Sequence, residues 1–326
     1  MVSSESMENP VSRARKTWNN HRIITAGRKS LKINSRMTKP PGGAVLDPLL
    51  EKKYGVLQRI IKETGKAAVA FSGGVDSTFL FKVCVDVLGD AALAITARSE
   101  TYPMRELEES KSLAKQIGGK QIIIESAELD VPGFSDNPPN RCFLCKSELF
   151  TKAIKVAKAH GIAPLFDGNN VDDADDFRPG RIAAKKLGVR SPLEEAGLTK
   201  KDIRSLSRSL GLPTWDKPAF ACLSSRFPYH TRITKSSLAL VEKAEGILWD
   251  LGMREFRVRH HGKMARIELG TKEMKRFFEQ DLRKTIVSRL KSLGYAYVTL
   301  DLEGYRTGSM NETLTEEEMA AHHRAP

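Results

Sequence analysis

The chain has 326 residues, 53 Lys and Arg against 40 Asp and Glu, a formal charge of +13 and 40% hydrophobic positions. This balance excludes collagen-like, mucin-like and wholly disordered chains, and the length suits two domains. No apolar run approaches the roughly 18 residues that a membrane-spanning helix needs.

The excess charge is concentrated at the start. Residues 1–41 carry nine basic side chains (Arg13, Arg15, Lys16, Arg22, Arg28, Lys29, Lys32, Arg36, Lys39) against Glu5 and Glu8, a net of +7, leaving +6 for the other 285 residues. Polar, aperiodic and closed by Lys-Pro-Pro-Gly-Gly at 39–43, the segment 1–44 reads as a disordered basic tail, with an organellar targeting segment as the alternative. A helix follows over 47–63, where Leu49, Leu50, Tyr54, Leu57, Ile60 and Ile61 form one stripe. Next come a strand at 67–71, a helix at 76–88, a strand at 92–96, a helix at 104–117, a strand at 121–125, a helix at 146–160 and a strand at 164–167. Apolar strands alternating with helices specify α/β architecture, a parallel sheet with helices on both faces and ligands beyond the carboxyl ends of its strands. Around Phe227 the pattern changes to a helix at 238–251 and a hairpin at 256–260 and 265–269. The expected division is therefore 45–226, then a smaller α+β domain at 227–310, then a frayed tail at 311–326.

Ser72-Gly73-Gly74-Val75-Asp76-Ser77-Thr78 lies between the first strand and its helix. Two glycines let backbone N–H groups converge there, and the helix N-terminus adds partial positive charge, which makes an anion cradle. No Walker lysine and no Gly-x-Gly-x-x-Gly is present, so γ-phosphate cleavage and dinucleotide binding are not the expected chemistry. The bland alternative is a glycine turn before an ordinary helix. The segment resembles the PP-loop of ATP pyrophosphatases. That resemblance implies that Ser72, Gly73, Gly74, Ser77 and Thr78 contact phosphate, that Asp76 helps to hold Mg²⁺, and that Thr96, Ala97 and Arg98 line the adenosine pocket.

Four cysteines are too few for a disulfide scaffold. Cys84 sits in an apolar helix and reads as core. Cys142 and Cys145 form a C-x-x-C just before a helix, and Cys222 follows Cys145 by seventy-seven residues. Neighbouring Arg141, Lys146 and Arg226 suit thiolates. The spacing leaves open a zinc site completed by a histidine, a redox pair, or a three-thiolate iron–sulfur cluster.

Several segments together resemble the LarE family of sulfur transferases: SGGVDST at 72–78, RCFLCK at 141–146, DGNNVDDADDFRPGR at 167–181, the long string at 191–229 and RVRHHGKMARIEL at 257–269. The resemblance implies ATP-dependent adenylation of a carboxylate of pyridinium-3,5-biscarboxylic acid mononucleotide and its conversion to a thiocarboxylate in nickel-pincer nucleotide synthesis. It places Gly168 and Asn169 at the ATP site. Cys142, Cys145 and Cys222 become catalytic residues, and in the three-cysteine branch of the family they are thought to hold a [4Fe-4S] cluster; the one-cysteine branch sacrifices the sulfur of its single cysteine. Arg257, Arg259 and Arg266 alternate with apolar residues on the hairpin and are assigned to the substrate phosphate or pyrophosphate, against a solvated-face alternative. The acidic run Asp172, Asp173, Asp175, Asp176 is a metal or ribose contact or a solvated loop, and Arg178 and Arg181 stay unassigned. Two departures stand out: Asn169 replaces a family threonine, and His230 stands in Pro228-Tyr229-His230 where the family reads glycine, at a position that wants positive φ.

A tRNA thiolase, an amide-forming synthetase and a nucleotide sensor are the competing readings. The modest charge of the body disfavours nucleic acid, and the amide chemistry leaves three cysteines without a role. Expected partners are the nucleotide substrate, a sulfur donor of unknown kind and a second copy of the chain; no membrane is expected, and the expected location is the cytoplasm.

Overall fold

A computed structural model of the protein describes residues 23–24, 47–173, 179–218, 221–306, 308–315 and 317–318. Most of the basic tail, together with Asp175, Asp176 and Arg178, lies outside the described residues.

The order is β1 (Ile23–Ile24), α1 (Pro48–Thr64), β2 (Ala67–Ala70), α2 (Val75–Leu88), β3 (Ala92–Arg98), α3 (Met104–Ile117), β4 (Lys120–Glu125), α4 (Arg141–Ala159), β5 (Leu165–Phe166), α5 (Pro179–Lys186), α6 (Pro192–Glu195) and α7 (Lys200–Ser209). The strands form one sheet in the order β1-β4-β3-β2-β5, parallel except for β1, which pairs antiparallel with β4 at the edge. The strand pair Ile23–Ile24 thus gives structure to a short piece of a segment that its composition marks as disordered.

Burial on both faces explains the near-continuous apolar strands. In β2, Ala67 and Val69 join the cluster with Leu57 and Ile61 of α1 and Phe79 of α2, while Ala68 joins Leu93, Ile122 and Phe150 on the other face. Each fully buried large aliphatic contributes about 1.5–3 kcal/mol. α1 starts where Asp47 accepts from the Leu49 amide at 2.9 Å and Pro48 occupies the first turn, and it ends on Gly65 at φ 65°.

The second unit comprises α8 (Lys235–Asp250), the hairpin β6 (Phe256–His261) and β7 (Met264–Leu269), α9 (Thr271–Phe277), α10 (Gln280–Ser292) and β8 (Tyr297–Leu300), which adds parallel to β7. Its separate core holds Leu248, Val258, Ile267, Ile286 and Leu290.

Two expectations need correction. The helix expected from 146 begins at Arg141, so Cys142 and Cys145 sit in its first two turns rather than before it. The segment from 311 is not frayed at its start: a 3₁₀ turn spans Ser309–Thr313, Leu314 is buried, and Asn311 accepts from the Tyr229 hydroxyl at 3.0 Å.

Candidate active site

The phosphate loop is built locally. Gly73 sits at φ 67°, a conformation that side chains resist, and a Cβ there would meet Ser110 at 3.3 Å. The Ser77 hydroxyl lies 3.1 Å from that of Ser72 and accepts from the Ser72 amide at 3.2 Å, closing the turn. Gly74 caps α2 without a side chain. Gly168 packs against this helix start; a Cβ would stand 3.2 Å from the Ser77 nitrogen. Asp76 Oδ1 and Thr78 Oγ1 are buried with no hydrogen-bond partner among the described residues. Such orphaned oxygens fit a site that takes phosphate and a divalent cation. Burial pushes the Asp76 carboxyl above its usual value, while Lys200, at the start of α7, pairs with Oδ2 and pulls it back.

The neighbouring candidates divide. Thr96 is buried, donates to the Phe71 carbonyl at 2.6 Å and accepts from Gln121 at 2.8 Å, which props the entrance of the loop. Ala97 is partly buried, and Arg98 is exposed and 3.5 Å from Glu125. Asn169 donates to Asp167 from both backbone and side chain, at 3.2 and 2.6 Å. Asp172 and Asp173 accept from the Lys200 and Asn170 amides at 2.8 and 3.0 Å, so both organise the loop. Arg181 pairs with Glu194 at 2.6 Å.

Arg141 ties the helix of Cys142 and Cys145 to the loop of Cys222. This arginine is 5% exposed, donates to Asn137 Oδ1 and to the Ser224 carbonyl at 2.9 Å, and feels Cys142, Cys222 and Cys145 electrostatically. Burial alone would lower its pKa; the surrounding thiols and Tyr229 hold it above the ordinary value. Asn137 donates to the Phe227 and Pro228 carbonyls at 3.2 and 2.6 Å, stitching the segment before α4 to the segment after Cys222. His230 closes the stitch: its amide donates to Asn137 at 2.9 Å and its φ is 63°, as the glycine of the related sequences leads one to expect. Cys84 is buried core.

Cys145 departs from the lowered thiol pKa that its basic sequence neighbours suggested. Burial raises it well above the usual value, and Glu128, whose Oε1 is 3.8 Å from Sγ, adds to the rise. Lys146 opposes, but by less than burial and Glu128 raise. Thiols are the soft donors that an iron–sulfur cluster takes. Among the described residues no three His, Cys, Asp or Glu side chains are grouped as a metal-ion site.

The loop of Cys222 is fastened on several sides. Arg226 is fully buried, forks onto Glu245 at 2.8 and 2.9 Å and donates to the Ala221 and Cys222 carbonyls at 2.7 and 3.1 Å. Leu223 donates to the Thr101 carbonyl at 2.8 Å, and Tyr102 donates to the Ser72 carbonyl at 2.7 Å. Lys217 reaches the Gly73 carbonyl at 3.3 Å, Glu106 at 2.8 Å and Glu109 at 2.9 Å.

Two of the hairpin arginines, Arg257 and Arg259, lie inside the protein, and Arg266 is half-buried. Arg259 forks onto Glu268 at 2.8 and 2.7 Å and donates to the Ser225 carbonyl and Ser309, while Arg266 also reaches Glu268, at 3.1 Å. Arg257 stands over the Tyr305 ring at 4.7 Å, and burial lowers its pKa. The solvated-face alternative fails for Arg257 and Arg259, which are 9% and 5% exposed. A cavity of about 130 Å³ between α3, α8 and β6 is lined by Glu106, Lys217, Arg226, Glu245, Trp249 and Arg257, among others.

Sequence reasoning missed Asn137, Glu128, Tyr102, Lys200 and Lys217. Only Lys217, next to a proline and near Cys222, carried any signal.

No family model matches the chain. It is 44% identical over 267 residues to an uncharacterised protein of Synechocystis sp., covering 82% of this chain and all of that one. It is 38% identical over 272 residues to the pyridinium-3,5-bisthiocarboxylic acid mononucleotide synthase of Lactiplantibacillus plantarum, covering 83% of this chain and 98% of that one. A weaker likeness, 28% over 184 residues, links 52% of the chain to 58% of a glutamine-hydrolysing GMP synthase polypeptide of Archaeoglobus fulgidus. Among the described residues no helix is long and apolar enough to cross a membrane. A phosphate loop, a thiol-bearing loop bonded to its surroundings and end-to-end similarity to a synthase agree that this chain is an enzyme and belongs to the LarE family of PP-loop sulfur transferases.

Proposed function

We propose that the protein adenylates a carboxylate of pyridinium-3,5-biscarboxylic acid mononucleotide with ATP and converts it to a thiocarboxylate for the nickel-pincer nucleotide. The carboxylate oxygen attacks the α-phosphorus, and the bond to the β-phosphate oxygen breaks. Pyrophosphate leaves into the cradle of Ser72, Gly73, Gly74, Ser77 and Thr78, with Asp76 on Mg²⁺. Sulfur then adds to the acyl carbon and AMP departs. In this reading residues 45–226 bind ATP, with Thr96, Arg98, Gly168 and Asn169 around the nucleotide. Residues 227–310 present Arg257, Arg259 and Arg266 towards the substrate phosphate. Arg259 and Arg266 share Glu268, so an arriving phosphate competes with that carboxylate.

The observation that carries the reading is that buried Arg141, beside Cys142 and Cys145 in α4, bonds the Ser224 carbonyl of the loop that carries Cys222, and that this loop is bonded to the surroundings of the phosphate loop. Cys142, Cys145 and Cys222 would hold a [4Fe-4S] cluster, which when bound supplies an iron with a free position for sulfide. Arg141 offsets the negative charge of the thiolates, and Asn137 keeps Arg141 aimed at them. The reading includes action in the cytoplasm and self-association of the chain.

Anaerobic purification with iron and sulfide analysis, then mass measurement after turnover, tests it. Iron retained with no mass change supports the cluster route. Loss of the elements of H₂S from Cys222 in iron-free protein supports the sacrificial one. Cys142→Ala is expected to abolish iron binding; undiminished iron would remove Cys142 from the ligand set.

A further inference from the structure

We propose that Lys217 and Tyr102 are positioning residues that hold the Cys222 loop in register with the phosphate loop. The inference deepens the adenylation reading and rests on it. Cys222 is flanked by two attachments. On its N-terminal side the Lys217 ammonium donates to the Gly73 carbonyl at 3.3 Å while Glu106 and Glu109 of α3 fix it at 2.8 and 2.9 Å. Arg204 of α7 donates to the Trp215 and Lys217 carbonyls, both at 2.8 Å, so the backbone beneath the ammonium is pinned as well. On the other side the Leu223 amide donates to the Thr101 carbonyl at 2.8 Å, and the adjacent Tyr102 hydroxyl donates to the Ser72 carbonyl at 2.7 Å.

Both attachments therefore end on successive carbonyls, Ser72 and Gly73, of the turn that faces the phosphates. A side chain bonded to those carbonyls senses any change of the turn when nucleotide enters, and passes it to the chain on either side of Cys222. The physical need is plain: a sulfur delivered to an acyl adenylate must stand near the α-phosphorus, and an error of about 1 Å in placement can cost about 10²-fold in rate. Neither residue is asked to exchange a proton or touch the reacting atoms.

The test reads the link between the two loops. Full-length protein, freed of iron with a chelator, is alkylated with iodoacetamide with and without α,β-methylene-ATP, and Cys222 modification is followed by peptide mass. Analogue binding and thermal midpoint are measured in parallel. In the wild type the analogue is expected to slow Cys222 alkylation at least about fivefold, the low end of ordinary site-to-site coupling. Lys217→Met and Tyr102→Phe are expected to bind the analogue yet shrink that effect to within about twofold. Simple shielding of Cys222 by the nucleotide would survive both substitutions, so an undiminished effect in the variants overturns the proposal. So does a wild-type thiol indifferent to an analogue that binds. Failure of the wild type to bind the analogue would instead bring down the adenylation reading, and this inference with it. Lys217→Met leaves Glu106 without its ammonium and can unfold the protein; Tyr102→Phe removes one hydroxyl and decides the matter then.

Discussion

The phosphate loop and the thiol cradle are made by opposite means. The loop is seven consecutive residues closed by Ser72, Ser77 and a glycine at positive φ, and the bonds internal to it span five positions or fewer. The cradle joins residues 137–145 to 222–230 through buried Asn137 and Arg141, whose bonds span more than eighty positions. Short-range closure is insensitive to the rest of the fold; a cradle that hangs on Arg141 and Arg226 is only as sound as the packing of both domains.

The largest expected effect separates the two chemically. Cys222→Ser should eliminate thiocarboxylate formation while ATP–pyrophosphate exchange persists; parallel loss of both activities would mean that the thiol belongs to the loop's chemistry after all. Next is stability. Arg226→Met strands Glu245 in the interior and should cost about 3–5 kcal/mol in urea unfolding, and a double variant that also carries Glu245→Leu should recover much of the loss. If the single variant is neutral, the fork is not what holds the Cys222 loop.

A pH scan sharpens the contrast further. His260 lies between Phe227 and Tyr295, and burial lowers its pKa below the ordinary imidazole value of 6.5; His261 is lowered likewise, by burial and then by Arg266. The unfolded chain takes up these protons first as pH falls. Stability is therefore full above 6.5 and declines below it, and His260→Gln should flatten that decline in thermal midpoints measured from pH 7.5 to 5.5. A decline of unchanged slope in the variant would exclude His260 as its source.

The smallest effect is at His230. Glycine removes the left-handed strain but adds freedom to the unfolded chain, so His230→Gly should raise stability by a few tenths to about 1 kcal/mol. A loss would show that the imidazole contributes more than the backbone costs.

Much of this was legible in the chain itself. Strand–helix alternation gave the sheet because buried parallel strands must be apolar on both faces. SGGVDST announced its loop because glycines and hydroxyls act on neighbours. The positive φ of His230 was foreseeable from the glycine it replaces. Less legible was the start of α4, expected at 146 and found at Arg141. Also hidden was the rise in the Cys145 pKa, since it comes first from burial and then from Glu128, which reaches the sulfur through space from seventeen positions away.

The residues alone thus settled the class of fold and the place of the glycine-rich turn between its first buried strand and helix. Only the tertiary structure decided that Arg141 bonds the loop of Cys222, that Arg257 and Arg259 are buried, and that Lys217 and Tyr102 end on the phosphate turn. The reason is range. Periodicity and backbone conformation are set by neighbours along the chain, whereas the partner of a buried charge is whatever folding brings within a few ångströms of it.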